Sequence, residues 1–332
     1  MARPAPGQLP LFADLDAVEA AAVDEPTLRL AAALPPAIRL GTSSWSFPGW
    51  TGIVYAPRGG RPATEQELAR HGLPAYAAHP LMRTVSLDRT FYAPLTAAEF
   101  AAYAGQVPAG FRFVVKAPAA CTDPVIRRGG FGEPTRDNPS FLDAAVATEA
   151  FVRPAVTGLG PKAGPLVFQF PPLGRRLCAD VPRLVDRLAA FAAALPRGPQ
   201  YAFEIRDAEL ATMRLTDALG ACGAVPCLAV HPRMPSVAEQ VVAFGLDRAD
   251  AVGPLVARWS LHAGHDYEAA KAHYAPFDRL VEEDLPTRTA LAALAAAAAR
   301  GGRDAFITVN NKAEGSAPLS VGALARQIVA AV

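Results

Sequence analysis

The stretch Pro165–Glu204, PLVFQFPPLGRRLCADVPRLVDRLAAFAAALPRGPQYAFE, decides the fold. It opens on the apolar run Pro165-Leu-Val-Phe-Gln169 and closes on another, Tyr201-Ala-Phe-Glu204. Between them Cys178–Leu195 is alanine-rich and amphipathic, with its apolar residues at helical spacing. A short strand with a polar tip, a loop and a helix leading to the next strand is the βα alternation of a parallel sheet. The unit recurs in both directions. Eight strands are predicted: Ile38–Ser44, Thr84–Asp88, Phe111–Lys116, Pro165–Gln169, Tyr201–Glu204, Cys227–Val230, Leu255–Leu261 and Asp304–Asn310. Helices are predicted at Ala97–Gln106, Cys178–Leu195, Asp207–Gly220 and Thr287–Arg300, with a last one after Pro318. An open sheet ordinarily carries a Gly-rich phosphate turn after its first strand, and none is present. Residues 37–332 therefore read as one TIM-type (β/α)8 barrel. Residues 1–36, rich in Ala and Pro, read as a flexible N-terminal tail with room for one short helix between Asp14 and Leu34. The segment 121–160 is longer than one crossover helix requires. Its Gly129-Gly130, Gly132 and Asn138-Pro139 predict an inserted loop, able to act as a lid.

Composition narrows the partners. The chain has 332 residues, 51% of them hydrophobic, enough for a sizeable core. Its formal net charge of +1 gives no general attraction to nucleic acid or anionic membrane. No uncharged apolar run reaches the roughly 18 residues of a membrane span. The N-terminus has no basic segment followed by an apolar core, so no signal peptide is expected and the cytoplasm is the expected location. Cys121, Cys178, Cys222 and Cys227 form no CxxC spacing and read as isolated thiols in a reducing compartment. Only four residues are lysines: Lys116, Lys162, Lys271 and Lys312. In a chain this rich in Ala, Arg, Pro and Gly, arginine fills ordinary surface positions. A lysine at a strand tip then carries more information than usual.

The strand tips carry the functional signal. Barrel enzymes place their sites at the carboxyl ends of the strands, where side chains from several strands converge. Here the tips read Ser43-Ser44-Trp45, Asp88-Arg89, Lys116, Gln169, Glu204-Ile205-Arg206, His231, His262 and Asn310-Asn311-Lys312. Glu204 and Arg206 share a face by strand alternation. They form either a structural ion pair closing the mouth or an acid/base whose pKa the guanidinium sets. Lys116 suits anion binding, a Schiff base, or a salt bridge to Asp88 or Glu204. His262 and His265 could join His231 and Glu204 around a divalent metal. The spacing is loose and lacks HExxH, so no cofactor is expected and single histidines at strand ends are read as hydrogen-bonding groups. Asn310 to Pro318 opens the final helix, where barrels often hold a phosphate or carboxylate. Gly315 there allows close backbone approach and Lys312 supplies charge. The aromatics Trp45, Phe47, Trp50, Tyr55, Phe91 and Tyr92 either line a pocket wall or cover the barrel top.

The same segments carry a resemblance. Gly41-Thr-Ser-Ser-Trp45 with Trp50 and Tyr55, Thr90-Phe-Tyr92, Phe113-Val-Val-Lys-Ala-Pro118, Pro165-Leu-Val-Phe-Gln-Phe-Pro-Pro172, Phe203-Glu-Ile-Arg206 and Asn310-Asn311 with Gly315 and Ala317 resemble the family called domain of unknown function 72, or YecE-like. The likeness spans roughly 38–330 and keeps the motif order. It implies a TIM-type barrel and no established activity. Two departures stand out. The family's usual Glu and Asn in the second strand fall at Ser86 and Asp88. Its Arg-Leu-His-Gly is expanded to Arg258-Trp-Ser-Leu-His262-Ala-Gly264. If the missing Glu is catalytic in the family, Asp88 can replace it only with a shift in position.

Together these observations predict a hydrolase or lyase acting on a small anionic molecule, phosphorylated or carboxylated. Glu204 is the expected acid/base, with Lys116 and Asp88 beside it. The expected substrate-binding residues are Trp45, Tyr92, Gln169, Arg206, Arg258, His262, Asn310, Asn311, Lys312 and Gly315. The alternative is a nucleic-acid-associated factor using aromatic loops and arginines for stacking and phosphate contact. A tail motif favours it: Gln8-Leu9-Pro10-Leu11-Phe12 is similar to the pentapeptide by which bacterial replication and repair proteins dock on the sliding clamp. An extended peptide with apolar anchors and one amide suits a preformed groove.

Overall fold

The computed structural model describes residues 17–57, 61–128, 132–248, 250–262 and 264–332. Eight parallel strands close into a barrel. They are β1 (Ile38–Thr42), β2 (Thr84–Leu87), β3 (Arg112–Lys116), β4 (Ala163–Gln169), β5 (Tyr201–Glu204), β6 (Ala224–Val230), β7 (Leu255–Trp259) and β8 (Ala305–Val309). Each pairs with its neighbours in sequence, and β8 closes on β1 with Ile38 opposite Ala305 and Thr42 opposite Val309. All eight expected strands form, with ends displaced by at most three residues.

Strand alternation divides the side chains into two sets. Val115, Phe168, Phe203, Leu228, Ala257 and Ile307 face outward into the main core beneath the helices. Val114, Val167, Ala202, Val225, Cys227, Val256 and Phe306 form a separate cluster inside the barrel. Two residues further along β3, β4, β5, β7 and β8, the inward positions become Lys116, Gln169, Glu204, Arg258 and Thr308. The interior is thus apolar at mid-height and polar towards the carboxyl ends.

Local signals explain the helix boundaries. Asp180 accepts the Arg183 N–H and Pro182 sits in the first turn, so the long crossover starts at Val181 and runs to Ala194. The expected Cys178–Leu195 helix is therefore split, with a short turn Gly174–Cys178 before it. Leu184, Val185, Leu188, Phe191 and Ala192 form its buried stripe. Thr212 caps the next helix, Met213–Gly220, which shortens the expected Asp207–Gly220. The final helix is Ala317–Ala331.

The expected loop 121–160 is two things. Its first part is a small antiparallel hairpin, Val125–Arg127 against Pro134–Asp137. Its second part, from Ala144 to Leu159, is the crossover helix itself, and it packs on the helix Ala97–Ala104. Gly129 and Gly130 lie outside the described residues.

Of the tail, residues 17–36 are tied to the barrel. The short helix expected there is Glu25–Ala33, capped by Asp24. Ahead of it the chain bridges to the first long loop, with Ala21 N–H donating to Val54 O and Ala56 N–H to Glu19 O. The Arg83 guanidinium gathers the carbonyls of Ala31, Leu34, Pro35 and Ile38. Among the described residues no helix is long and apolar enough to cross a membrane.

Gly41 marks the tightest point of the barrel seam. A Cβ there would lie 1.8 Å from the Thr84 carbonyl oxygen on the neighbouring strand. Gly41→Ala is expected to cost about 3 kcal/mol by forcing β1 from β2. Gly110→Ala, where a Cβ meets nothing within 4 Å, is expected to stay within about 0.5 kcal/mol. Urea unfolding of both variants against the parent checks the pair, and equal midpoints would refute this account of the seam.

Candidate functional site

The carboxyl ends of β2, β3, β4, β5 and β7 bring Asp88, Lys116, Gln169, Glu204, Arg206 and Arg258 together. Arg258 is the hub. Its Nη1 donates to Glu204 Oε2 at 2.6 Å and to Gln169 Oε1 at 2.9 Å. Its Nη2 donates to both Asp88 oxygens, at 2.8 and 3.0 Å. Arg206 donates to the other Glu204 oxygen, as the two-residue spacing predicted. Ser86 donates its hydroxyl to Asp88 Oδ1 at 2.6 Å. Thus the two residues that depart from the family pattern hold each other, and Asp88 holds Arg258.

Glu204 has no exposed surface, Arg258 is 5% exposed and Arg206 7%. Burial alone would raise the Glu204 pKa. Arg206, Arg258 and Lys116 more than offset this and hold it below the ordinary 4.5. Both Glu204 oxygens are engaged by guanidinium groups, which leaves Glu204 poorly suited to accept a proton. Lys116 is different. Instead of pairing directly with Asp88 or Glu204, its ammonium lies 3.6 Å from the centre of the Phe91 ring. Burial lowers its pKa from 10.5 to about 8, against the pull of Asp88 and with help from Arg258. His231 is held neutral with a pKa of about 4, chiefly by burial and then by Arg206. Its Nδ1 accepts the Arg233 N–H at 3.2 Å, which leaves the proton on Nε2 as a donor. Sequence reasoning put His231 at a tip but gave it no part in substrate binding.

Other expected site residues belong to the scaffold. Trp45 is buried and donates its indole N–H to Leu68 O at 3.1 Å, while Tyr55 donates its hydroxyl to Trp45 O. Asn311 accepts the Trp50 indole N–H at 3.1 Å and the Ala317 N–H at 2.8 Å. It thereby caps the final helix from within. Residues 311–318 are all buried, so the helix N-terminus expected to face an anion faces protein. Gly315 has φ 115°, and a Cβ there would lie 2.6 Å from Arg279 O. Its role is close backbone packing rather than a ligand cradle.

Asn310 remains half-buried at the rim, with Lys312 buried beside it. Asn310 donates to the Ser43 hydroxyl at 2.7 Å and accepts the Lys312 N–H. The Lys312 ammonium lies 4.0 Å from the Tyr267 ring centre. Tyr92 is 66% exposed, edge-on to Phe91. His262 hangs on the same buried segment through its N–H to Lys312 O. It stands beside His265 and Glu282 rather than His231 and Glu204. Glu282 lies in the polar run Val281-Glu-Glu-Asp284, which has no feature that separates it from an ordinary exposed turn. Gln8, Leu9, Leu11 and Phe12 lie outside the described residues.

The ion network predicts a stability experiment. Arg258→Met leaves Glu204 and Asp88 without a main partner and is expected to cost about 3–5 kcal/mol, whereas the double variant with Glu204→Gln should cost less than the sum. The pH dependence follows from the lowered Glu204 pKa. Its contribution is complete above the unfolded value near 4.5 and is lost as the pH falls through the folded value. Urea titrations between pH 3 and 6 are expected to show that loss in the parent and a flatter curve in Glu204→Gln. Identical slopes would remove the network from this role.

The family model described as protein of unknown function DUF72 matches residues 39–331. A crystal structure of a DUF72 family protein from Enterococcus faecalis V583 is 16% identical, covering 88% of this chain and 95% of that one, with a TM-score of 0.59. One from Thermotoga maritima MSB8 is 18% identical, covering 88% and 98%, with the same TM-score. At these identities the likeness concerns the fold alone. No curated protein matches the chain. The family match runs from the second residue of β1 to the end of the final helix, and on that ground the chain belongs to the DUF72 family, whose function is unknown.

Proposed function

We propose that the protein is an enzyme, a hydrolase or lyase acting on a small carboxylated or phosphorylated molecule at the carboxyl end of the barrel. The observation that carries this reading is a charge imbalance. Among the described residues, Lys116, Arg206 and Arg258 face only the carboxylates of Asp88 and Glu204, leaving one buried positive charge in excess. An anionic substrate group answers that excess. Arg206 Nη1, buried and without a hydrogen-bond partner among the described residues, is a donor that such a group would satisfy. The ion pairs of Arg258 hold the cluster in one geometry, so little reorganisation is needed on binding.

The sequence pointed to Glu204 as acid/base. Its clamped carboxylate fits orientation of Arg206 and Arg258 better, and Lys116 takes over proton transfer. An amine with a pKa near 8 exchanges a proton close to neutrality. In a lyase the neutral amine can instead add to a substrate carbonyl and release water on forming the imine. His231, neutral and donating from Nε2, suits a substrate oxygen.

The test is a screen of small phosphorylated and carboxylated compounds by thermal shift, followed by turnover assays on the hits. Lys116→Met is expected to lower turnover by about a hundredfold or more, and the parent rate to show a limb near pH 8. Borohydride trapping at Lys116 separates an imine mechanism from simple proton transfer. Full turnover in Lys116→Met would overturn the assignment.

For Gln8–Phe12 we propose docking on the bacterial sliding clamp, supported by the sequence motif alone. Few residues are buried in such a contact, so the affinity should be about micromolar. Calorimetry of the full chain against purified clamp should lose its signal in the Leu11→Ala, Phe12→Ala double variant. Equal heats from parent and variant would end the proposal.

A further inference from the structure

We propose that His262, His265 and Glu282 form a zinc site on the rim of the barrel. Their ligand atoms all lie within 4.8 Å of one another. His265 Nε2 is 2.8 Å from Glu282 Oε2, and His262 Nε2 is 3.8 Å from Glu282 Oε1. Ligands on one tetrahedral zinc, with bonds of about 2.0–2.1 Å, stand about 3.3 Å apart. The two histidine–carboxylate separations bracket that value, and with every ligand atom within 4.8 Å of the others, side-chain adjustments of up to about 1.5 Å bring the set onto one ion. Two imidazoles and a carboxylate match a borderline divalent ion, and three protein ligands leave a fourth position for water or an anionic oxygen.

The fold prepares this set. The two histidines and Glu282 belong to different loops, yet His262 and Glu282 both hang on the buried segment that follows β8. His262 N–H donates to Lys312 O at 2.9 Å, and Glu282 N–H donates to Glu314 O at 3.2 Å. Glu314 is itself fixed, its carboxylate accepting from Arg288 at 2.6 Å and from the Asp284 N–H at 2.8 Å. Behind the ligands, Tyr274 donates its hydroxyl to Glu282 Oε2 at 3.0 Å. A hydrogen bond of this kind orients a ligating carboxylate. Tyr274 is fully buried and has its own small cluster with Leu261, Ala270 and Phe277. The His273 ring lies 6.2 Å from that of His265.

One other set has ligand spacing among the described residues, Cys178 with Asp207 and Glu209. There Asp207 already accepts the Leu173 N–H at 2.8 Å as a loop staple, and no imidazole is present. The rim set is the better zinc site. His262 lies three residues beyond the end of β7, so the ion stands at the same end of the barrel as Arg258. The inference does not rest on the activity proposed above.

The experiment uses the untagged full-length chain, stripped with chelator and titrated with zinc by calorimetry, with bound zinc counted after dialysis. One equivalent is expected. His265→Ala and Glu282→Gln should each weaken binding by more than about a hundredfold, and Tyr274→Phe by about tenfold. Should His265→Ala fail to fold by circular dichroism, His265→Gln replaces it with the same expectation. Zinc should also protect His262 and His265 of the parent from diethyl pyrocarbonate while leaving exposed His71 reactive. Absence of saturable binding would overturn the site. So would binding that survives at His265 and Glu282 variants, or that disappears in Cys178→Ser instead.

Discussion

The barrel mouth depends on one guanidinium. Arg258 reaches from β7 across the interior to Asp88 beyond β2, Gln169 on β4 and Glu204 on β5. Charges taken out of water are costly unless paired and hydrogen-bonded, and a dry apolar layer of equal volume is often the more stable solution. The layer below uses that solution, with Val114, Val167, Ala202 and Val256 filling the barrel. The change to charged residues one layer higher gives up packing stability at the position where barrel proteins bind and react. The pairing then dictates the electrostatics of its neighbours. It holds Glu204 ionised and leaves Lys116 as the cation with the least direct compensation.

A second constraint lies in the segment after β8. Asn311 joins Trp50 of the first loop to the start of the final helix, and Gly315 lets the chain pass against Arg279. Glu314 anchors Asp284 and Arg288 at the start of the helix Leu285–Arg300. These bonds pin the first, seventh and eighth loops to one buried strip. They convert what could be a ligand-facing helix terminus into an internal joint, and they set the positions of His262 and Glu282 on the rim.

Much of this was legible in the chain. The polar tips Lys116, Gln169, Glu204 and Arg258 stand out because each ends an apolar strand, and period-2 alternation requires them to follow inward valines and alanines. The pair Glu204 and Arg206 was readable from spacing alone. The roles of Trp45 and Asn311 were not. A tryptophan after a strand reads equally as pocket wall or cover, and only the Leu68 carbonyl next to its indole decides. Asn310 and Asn311 are adjacent and identical, yet one faces the mouth at Ser43 and the other the interior. Glu282 was invisible, because nothing in an acidic turn shows that two histidines lie beside it.

The sequence by itself determined the order of elements, the closure into eight units and the side of each strand that faces inward. These follow from local periodicity and capping, which act over a few residues. Tertiary structure alone decided which charges pair. Arg258 is 54 residues from Glu204 and 170 from Asp88, and Coulomb attraction carries no record of sequence distance. Which partners a buried guanidinium finds is set when the barrel closes, since closure removes the water that would otherwise screen every alternative.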